Sequence, residues 1–309
     1  VSAPTSKVVF LEGAEDVDVD SEYRQLVEEA TIEECAIQLP RGYISVSQVN
    51  TYRRCPRQYY FRYIKDLIRA PSASQLEGSA VHQSVAAGHL AALKNGSAPM
   101  DLMLDVYQDY WKRNKNDINW KAEEDVVNED LIVRRDHQFL TLYNNYFIPK
   151  LTPRVDATGA FVERRFWVTV GSQRIPLLGY IDLVAKNDTV FSDAKVPDGS
   201  GEEEVIDHKV VKQMKPQSDV DSDLQLTVYA RVTGVSHVRF QCFVKNKIPK
   251  IKAVASQRNF LAWPWAEFVI SEVAGCIAAG KFPPGADGWH CTPRFCGYYD
   301  DCHSSLVSS

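Results

Sequence analysis

Three adjacent residues near the middle of the chain carry the densest chemistry: Asp207-His208-Lys209, between Val205-Ile206 and Val210-Val211. Read as a strand, side chains alternate between faces, so Asp207 and Lys209 share one side and His208 takes the other. A carboxylate two residues before a lysine can hold a divalent metal and set an ammonium beside it. Both would reach a single phosphodiester. The apolar flanks place the pair at a sheet edge or in a cleft. Such a triplet is common by itself, so its meaning depends on the elements around it.

Upstream, Leu178-Gly179-Tyr180-Ile181-Asp182-Leu183-Val184 reads as an apolar strand with one embedded carboxylate. Further upstream, Glu77-Gly78-Ser79-Ala80-Val81-His82 opens a helix. Downstream, Gln225 and Tyr229 stand at i and i+4, on one helix face. Asp182 and Asp207 fall on separate strands, with enough chain between them to be neighbours. Asp193, in Phe191-Ser192-Asp193-Ala194-Lys195, competes as second acid with its own lysine. Asp207 is preferred because its strand is more apolar and comes next before the Gln225 helix. Glu77 is a further acid near the His82 helix.

The order His82, Asp182, Asp207-x-Lys209, Gln225-x-x-x-Tyr229 resembles the RecB-like branch of the PD-(D/E)xK nuclease superfamily, over residues from about 44 to 302. The resemblance implies an α/β fold: a restriction-endonuclease-like mixed sheet flanked by helices, with a helical insertion. It implies a metal-dependent DNA exonuclease acting on single strands or on ends, in recombination, repair or phage DNA processing. Asp182 and Asp207 would share one or two Mg²⁺ or Mn²⁺ ions, the carbonyl of His208 would complete the shell, and His82 would add a ligand. Lys209 would orient or help deprotonate the attacking water, or stabilise the charged phosphate. Gln225 and Tyr229 would support the site and the DNA. The implied partners are DNA and a helicase or recombination protein, in the cytoplasm of a bacterial or phage-infected cell. The alternative is a non-cutting nucleic-acid-binding or helicase-partner module that keeps the fold. The complete Asp182, Asp207 and Lys209 set argues against it.

Three of the seven cysteines crowd into one stretch, Cys291-x4-Cys296-x5-Cys302. A loop this short with three thiols reads as a metal centre, and Cys55, before Pro56, is the natural fourth ligand. Four thiolates suit a 4Fe–4S cluster or a structural zinc. One early cysteine with a terminal triplet resembles the iron–sulfur RecB-like nucleases, of the AddB nuclease-domain and CRISPR-adaptation type. That implies a 4Fe–4S clasp of Cys55 with residues 282–302. The first gap, x4 where x2 is the expectation, keeps zinc open. Cys242 and Cys276 read as small core residues, Cys35 has no assigned role, and His290 and His303 are reserve ligands.

The chain has 309 residues, 45% hydrophobic and 24% charged, an ordinary globular composition. A net charge of -5 does not by itself mark a nucleic-acid binder. Basic residues cluster nonetheless: Arg53, Arg54, Arg57, Arg62 and Lys65; Lys209, Lys212 and Lys215; Lys245, Lys247, Lys250 and Lys252. No apolar run approaches the roughly 20 residues of a membrane span, and no secretory signal is evident. Residues 1–43 read as an acidic extension with an amphipathic helix over Ser21–Leu39. Residues 44–309 read as the nuclease domain, with a helical part over about 77–150 and a catalytic sheet over about 158–256. Patterning predicts helices over Gln58–Ile64, Gly78–Leu93, Met100–Lys115, Ala122–Asn145, Leu224–Val232 and Trp265–Ala279. It predicts strands over Ala160–Val170, Ile175–Ala185, Thr189–Phe191, Val238–Val244 and Ile251–Ala255. The tail shows little pattern.

Overall fold

The computed structural model describes residues 8–10, 36–118, 128–187, 202–259, 261–285, 288 and 290–307. Cys35, Asp193, the strand over Thr189–Phe191 and most of the helix over Ser21–Leu39 lie outside them. Strand β1 (Val8–Phe10) comes first. Ser45 caps helix α1 (Val46–Arg54) by accepting from the Gln48 amide at 3.3 Å. Cys55 ends α1 and caps α2 (Pro56–Tyr59), where Pro56 takes a first-turn position at which its missing N–H is not needed. The chain continues as a π-helical turn over Tyr60–Ile64, where one regular helix is predicted.

Helix α3 (Ala73–Asn95) starts five residues before the predicted Gly78, because Ser72 and Gln75 close a capping box ahead of it. Gly96 ends it in the left-handed region, at φ 78°. Helices α4 (Met100–Asn114) and α5 (Glu129–Tyr146) follow, α5 capped by the Asn128 side chain. The three helices share one apolar cluster that includes Val81, Met103, Phe139, Leu140 and Phe147.

Then the sheet forms: β2 (Leu151–Pro153), the small pair β3 (Val155–Asp156) and β4 (Gly159–Ala160), then β5 (Val162–Val170), β6 (Ile175–Asn187) and β7 (Glu203–Val211). Helices α6 (Gln217–Asp221) and α7 (Leu224–Thr233) cross over to β8 (His237–Val244), and β9 (Lys250–Gln257) returns. The strand order is β1-β5-β6-β7-β8-β9, with β2 also paired to β6. Every pair is antiparallel except β7–β8, the pair that the helical crossover joins. Strand β7 is therefore interior to the sheet, so of the two expected placements of its charged pair, sheet edge or cleft, the sheet edge is excluded.

Helix α8 (Ala262–Ala278) closes one face together with α1 and α7, while α3 and α5 cover the other. Along β7, Val205 belongs to the first core and Ile206 to the second, as strand alternation requires. The tail carries one helix that the sequence pattern does not predict, α9 (Tyr299–Val307). Asp300 and Asp301 in its first turn complement the positive end of the helix dipole.

Candidate active site

Residues 207–209 divide between faces as the alternation predicts. His208 faces α5, its ring 5.4 Å from that of Tyr143. Asp207 and Lys209 lie on the opposite side, with Lys209 Nζ 2.6 Å from Asp207 Oδ2. Asp207 is fully buried; the Lys209 ammonium holds its Oδ2, and its Oδ1 has no hydrogen-bond partner. Burial pushes its carboxyl up to about 6 even with the Lys209 ammonium beside it. For Lys209 burial acts downward, but the Asp207 and Asp182 carboxylates hold its ammonium above the usual lysine range.

Asp182 sits on the neighbouring strand. Leu183 pairs with Ile206, and continuing that register by one residue sets Asp182 opposite Asp207. One Asp182 oxygen accepts from the His208 backbone N–H at 2.8 Å. Burial raises the Asp182 carboxyl, and the nearby Glu163 charge adds to the rise against His82 and Lys209.

His82 projects from α3 toward the same row. Its Nε2 donates to the His208 carbonyl at 2.8 Å, which directs Nδ1 at Asp182 Oδ2 (3.4 Å) and Glu163 Oε1 (3.6 Å). Burial alone would lower its pKa, but Asp182, Glu163 and Asp207 together raise it to about 9. One ligand atom each from His82, Glu163 and Asp182 lies within 4.8 Å of the others, a grouping that suits a metal ion.

Glu163 is the acid that the sequence reading misses. In the strand pattern it is one more polar residue on an alternating face. The signal lay in the β5–β6 hairpin: Val170 pairs with Ile175, and counting back in step brings Glu163 opposite Asp182. The same row is where both strands change face. Val162 packs with the helical cluster but Phe166 with the other core, and Leu183 and Ile181 divide likewise. Glu163 makes that change at φ 45°, a left-handed conformation costing a side-chain-bearing residue roughly 1–3 kcal/mol. Glu163, Asp182 and Asp207 thus form a row of carboxylates across three adjacent strands. Lys209 and His82 are cations facing them, and the unpartnered Asp207 Oδ1 fits a divalent cation.

Gln225 and Tyr229 meet on α7 as their spacing predicts, Gln225 Nε2 donating to the Tyr229 hydroxyl at 2.5 Å. Tyr229 is buried and rests edge-on against Phe166, 5.9 Å between ring centroids. Burial, then Asp182 and Asp207, push its phenol upward. Glu77 is not brought to this row. It is buried at the other end of α3's first turns, paired with Arg135 and with Lys245 Nζ at 2.6 Å.

Cys55, Cys291, Cys296 and Cys302 lie outside any disulfide and are half-buried. Cys55 Sγ accepts from the backbone N–H of Gly285 at 3.2 Å and of Gln58 at 3.4 Å. A Cβ at Gly285 would lie 2.9 Å from that sulfur, so only glycine leaves it room. Burial raises the Cys302 thiol, and Cys55, Cys291 and Cys296 act in the same direction. Among the described residues no three of these sulfurs lie within 4.8 Å of one another. Cys242 is buried in the core as expected, and His303 is exposed, its Nδ1 bonded to the Tyr299 carbonyl at 2.8 Å.

The family model of the PD-(D/E)XK nuclease superfamily matches residues 43–303. A search of curated proteins finds no match. Among solved structures, a candidate exonuclease from Eubacterium rectale is 11% identical with a TM-score of 0.48, covering 84% of this chain and 88% of that one. The crystal structure of SSO0001 is 12% identical with a TM-score of 0.37, covering 89% of this chain and 93% of that one.

Proposed function

The chain belongs to the PD-(D/E)XK nuclease superfamily, and on that premise we propose that it is a Mg²⁺- or Mn²⁺-dependent DNA exonuclease working on single strands or ends. The observation that carries the reading is the convergence of His82, Glu163 and Asp182 beside the Asp207–Lys209 pair. Such a donor set, rich in carboxylate oxygen, suits a hard divalent cation. The bound ion would polarise the phosphate and make a water acidic enough to attack at neutral pH.

The chain's own residues supply the rest. Asp182 is fixed by the peptide N–H of His208, and His82 by its carbonyl. Lys209, partly exposed beside Asp207, donates to a phosphate oxygen or to the water. Gln225 sets the direction of the Tyr229 hydroxyl and stays half-exposed toward a substrate. Near Cys55, Arg57 lies over the rings of Tyr60 and Phe61, Arg62 over Tyr63 and Lys65 over Tyr60. Cations interleaved with aromatic rings suit a flexible nucleic-acid strand.

The reading includes a 4Fe–4S cluster on Cys55, Cys291, Cys296 and Cys302. Its support is the two N–H groups on Cys55 Sγ and the cleared space at Gly285. A helicase or recombination protein is the partner class that fits an end-processing nuclease.

Labelled single-stranded DNA, incubated with Mg²⁺ or Mn²⁺, tests the activity. Release of terminal nucleotides by wild type, lost in Asp207→Ala, is the expected result. Binding without cutting by wild type, or undiminished cutting by Asp207→Ala, would overturn it. Anaerobic purification with iron and sulfide analysis tests the cluster, and zinc in place of iron would refute that part alone.

A further inference from the structure

His89 stands seven residues beyond His82 on α3, two turns along the same helix side, and is fully buried. Its Nε2 lies 2.9 Å from the hydroxyl of Tyr143 on α5, and that hydroxyl lies 2.9 Å from Nε2 of His208. Two histidines of one helix therefore address one residue of β7. His82 bonds its carbonyl, and His89 reaches its ring through Tyr143. The chain of three polar groups runs through an apolar cluster that holds Met103, Phe139, Phe147 and Phe243. Hydrocarbon side chains would pack there without needing partners, so a buried polar chain calls for a reason.

We propose that His89 and Tyr143 are positioning residues of the metal centre: they fix the tautomer and ring plane of His208, and through it the peptide groups that meet Asp182 and His82. The proposal rests on the metal-site reading above.

The polarity of the chain follows from counting protons. One hydroxyl hydrogen lies between two imidazoles, so one ring donates to the oxygen and the other accepts from it. If His208 donated, His89 would carry its hydrogen on Nδ1, which is buried without a partner. An orphan donor of that kind costs roughly 1–3 kcal/mol. His208 Nδ1 would also turn a lone pair toward Asp182 Oδ2, 3.7 Å away. The opposite polarity removes both conflicts. His89 Nε2–H donates to Tyr143, Tyr143 O–H donates to His208 Nε2, and His208 Nδ1–H faces the Asp182 carboxylate. The backbone N–H of the same residue already bonds that oxygen at 2.8 Å. The peptide N–H of His208 then bonds that oxygen of Asp182 while the ring N–H turns its positive end toward it at 3.7 Å, and the peptide plane is set for the carbonyl that His82 meets.

The test uses the full chain with Mn²⁺ alone, titrated calorimetrically into wild type, Asp182→Asn, Tyr143→Phe, His89→Leu and His89→Gln. Cutting of single-stranded DNA is measured beside it. In wild type labelled with ¹⁵N-histidine, His208 is expected as the Nδ1–H tautomer, with Nε2 bare. Tyr143→Phe and His89→Leu are expected to weaken Mn²⁺ binding roughly 10- to 100-fold with KM for DNA little changed. His89→Gln keeps a donor at the same reach and is expected to restore most of it. An Nε2–H tautomer in wild-type His208 overturns the proposal even where a variant fails to fold. So do Tyr143→Phe and His89→Leu proteins that bind Mn²⁺ within about twofold of wild type. In that case cutting by wild type and its loss in Asp182→Asn leave the metal-site reading standing. A wild type that neither binds Mn²⁺ nor cuts defeats the site reading, and the positioning role with it.

Discussion

At the scale of single residues, the site is a concentration of negative charge held in place by backbone. Asp182 and Asp207 are buried, Glu163 sits in a backbone conformation that a side chain disfavours, and His82 and Lys209 face them. Glu163 separates two roles cleanly. Glu163→Gly removes a carboxylate from the row and relieves a left-handed φ, while adding the backbone freedom of glycine. Stability by urea unfolding is expected to stay within about 1 kcal/mol of wild type, since these terms oppose. Mn²⁺ affinity by calorimetry is expected to fall at least tenfold, on the order of one lost charged ligand. A variant as tight as wild type would remove Glu163 from the metal's shell. Lys209 and Asp207 were legible in the sequence because they are two apart on one strand. Glu163 was not, because its importance depends on a partner strand, and a strand's own alternation says nothing about what lies opposite.

At the scale of elements, the β5–β6 hairpin and the α3–α5 helices place the residues. Gly179 on β6 packs against Phe166 of β5, whose ring also meets Tyr229 of α7. A Cβ there would lie 2.5 Å from Phe166 Cζ, in a ring that carries Tyr229 on its edge. Gly179→Ala is expected to lower stability by about 1–3 kcal/mol and to reduce kcat through displacement of Tyr229. Unfolding midpoint and turnover together check it, and a drop in midpoint without loss of turnover would free Tyr229 from that dependence.

The helices carry a second buried network. Asp136 on α5 accepts from the Tyr107 hydroxyl of α4 at 2.7 Å, beside Glu77 of α3 and its partners Arg135 and Lys245. Burial, with the Glu77 charge behind it, raises Asp136 to about 8. The folded state therefore keeps a proton that the unfolded chain releases near 3.8, the ordinary aspartate value. This group's contribution is complete below that lower value and is lost as pH rises toward about 8. Asp136→Asn keeps an acceptor for Tyr107 and cannot ionise. The fall in urea midpoint between pH 5 and pH 8, which bracket most of that window, is expected to be smaller in Asp136→Asn than in wild type. An equal fall in both would place the proton elsewhere.

At the scale of the whole molecule, the beginning and end of the matched region are fastened to each other. The Tyr298 hydroxyl donates to the Leu67 carbonyl at 2.8 Å, and its ring stacks on Phe61 at 5.8 Å between centroids. Phe282 stacks on Tyr59, Arg69 pairs with Asp301, and Gly285 bonds Cys55 Sγ. These contacts set Cys55 beside Gly285 and join residues 59–69 to the tail with no covalent link. On the cluster proposed above, Cys55→Ala is expected to hold no iron and to admit limited proteolysis within 285–302, whereas Cys276→Ala does neither. Iron content and fragment mass measure both, and an iron-replete Cys55→Ala protein would remove Cys55 from the ligand set.

The chain's local order was enough to determine the strand alternation at 205–211, the Gln225–Tyr229 face and the helical span that carries His82, since each follows from the period of a single element. Near neighbours in sequence are bound to those periods by covalent geometry. The tertiary structure alone decided that Glu163 joins Asp182, that β7 runs inside the sheet, and that His89 and Tyr143 reach His208. Those facts rest on register and on packing between segments separated by tens of residues. No period within one element records what another will place against it.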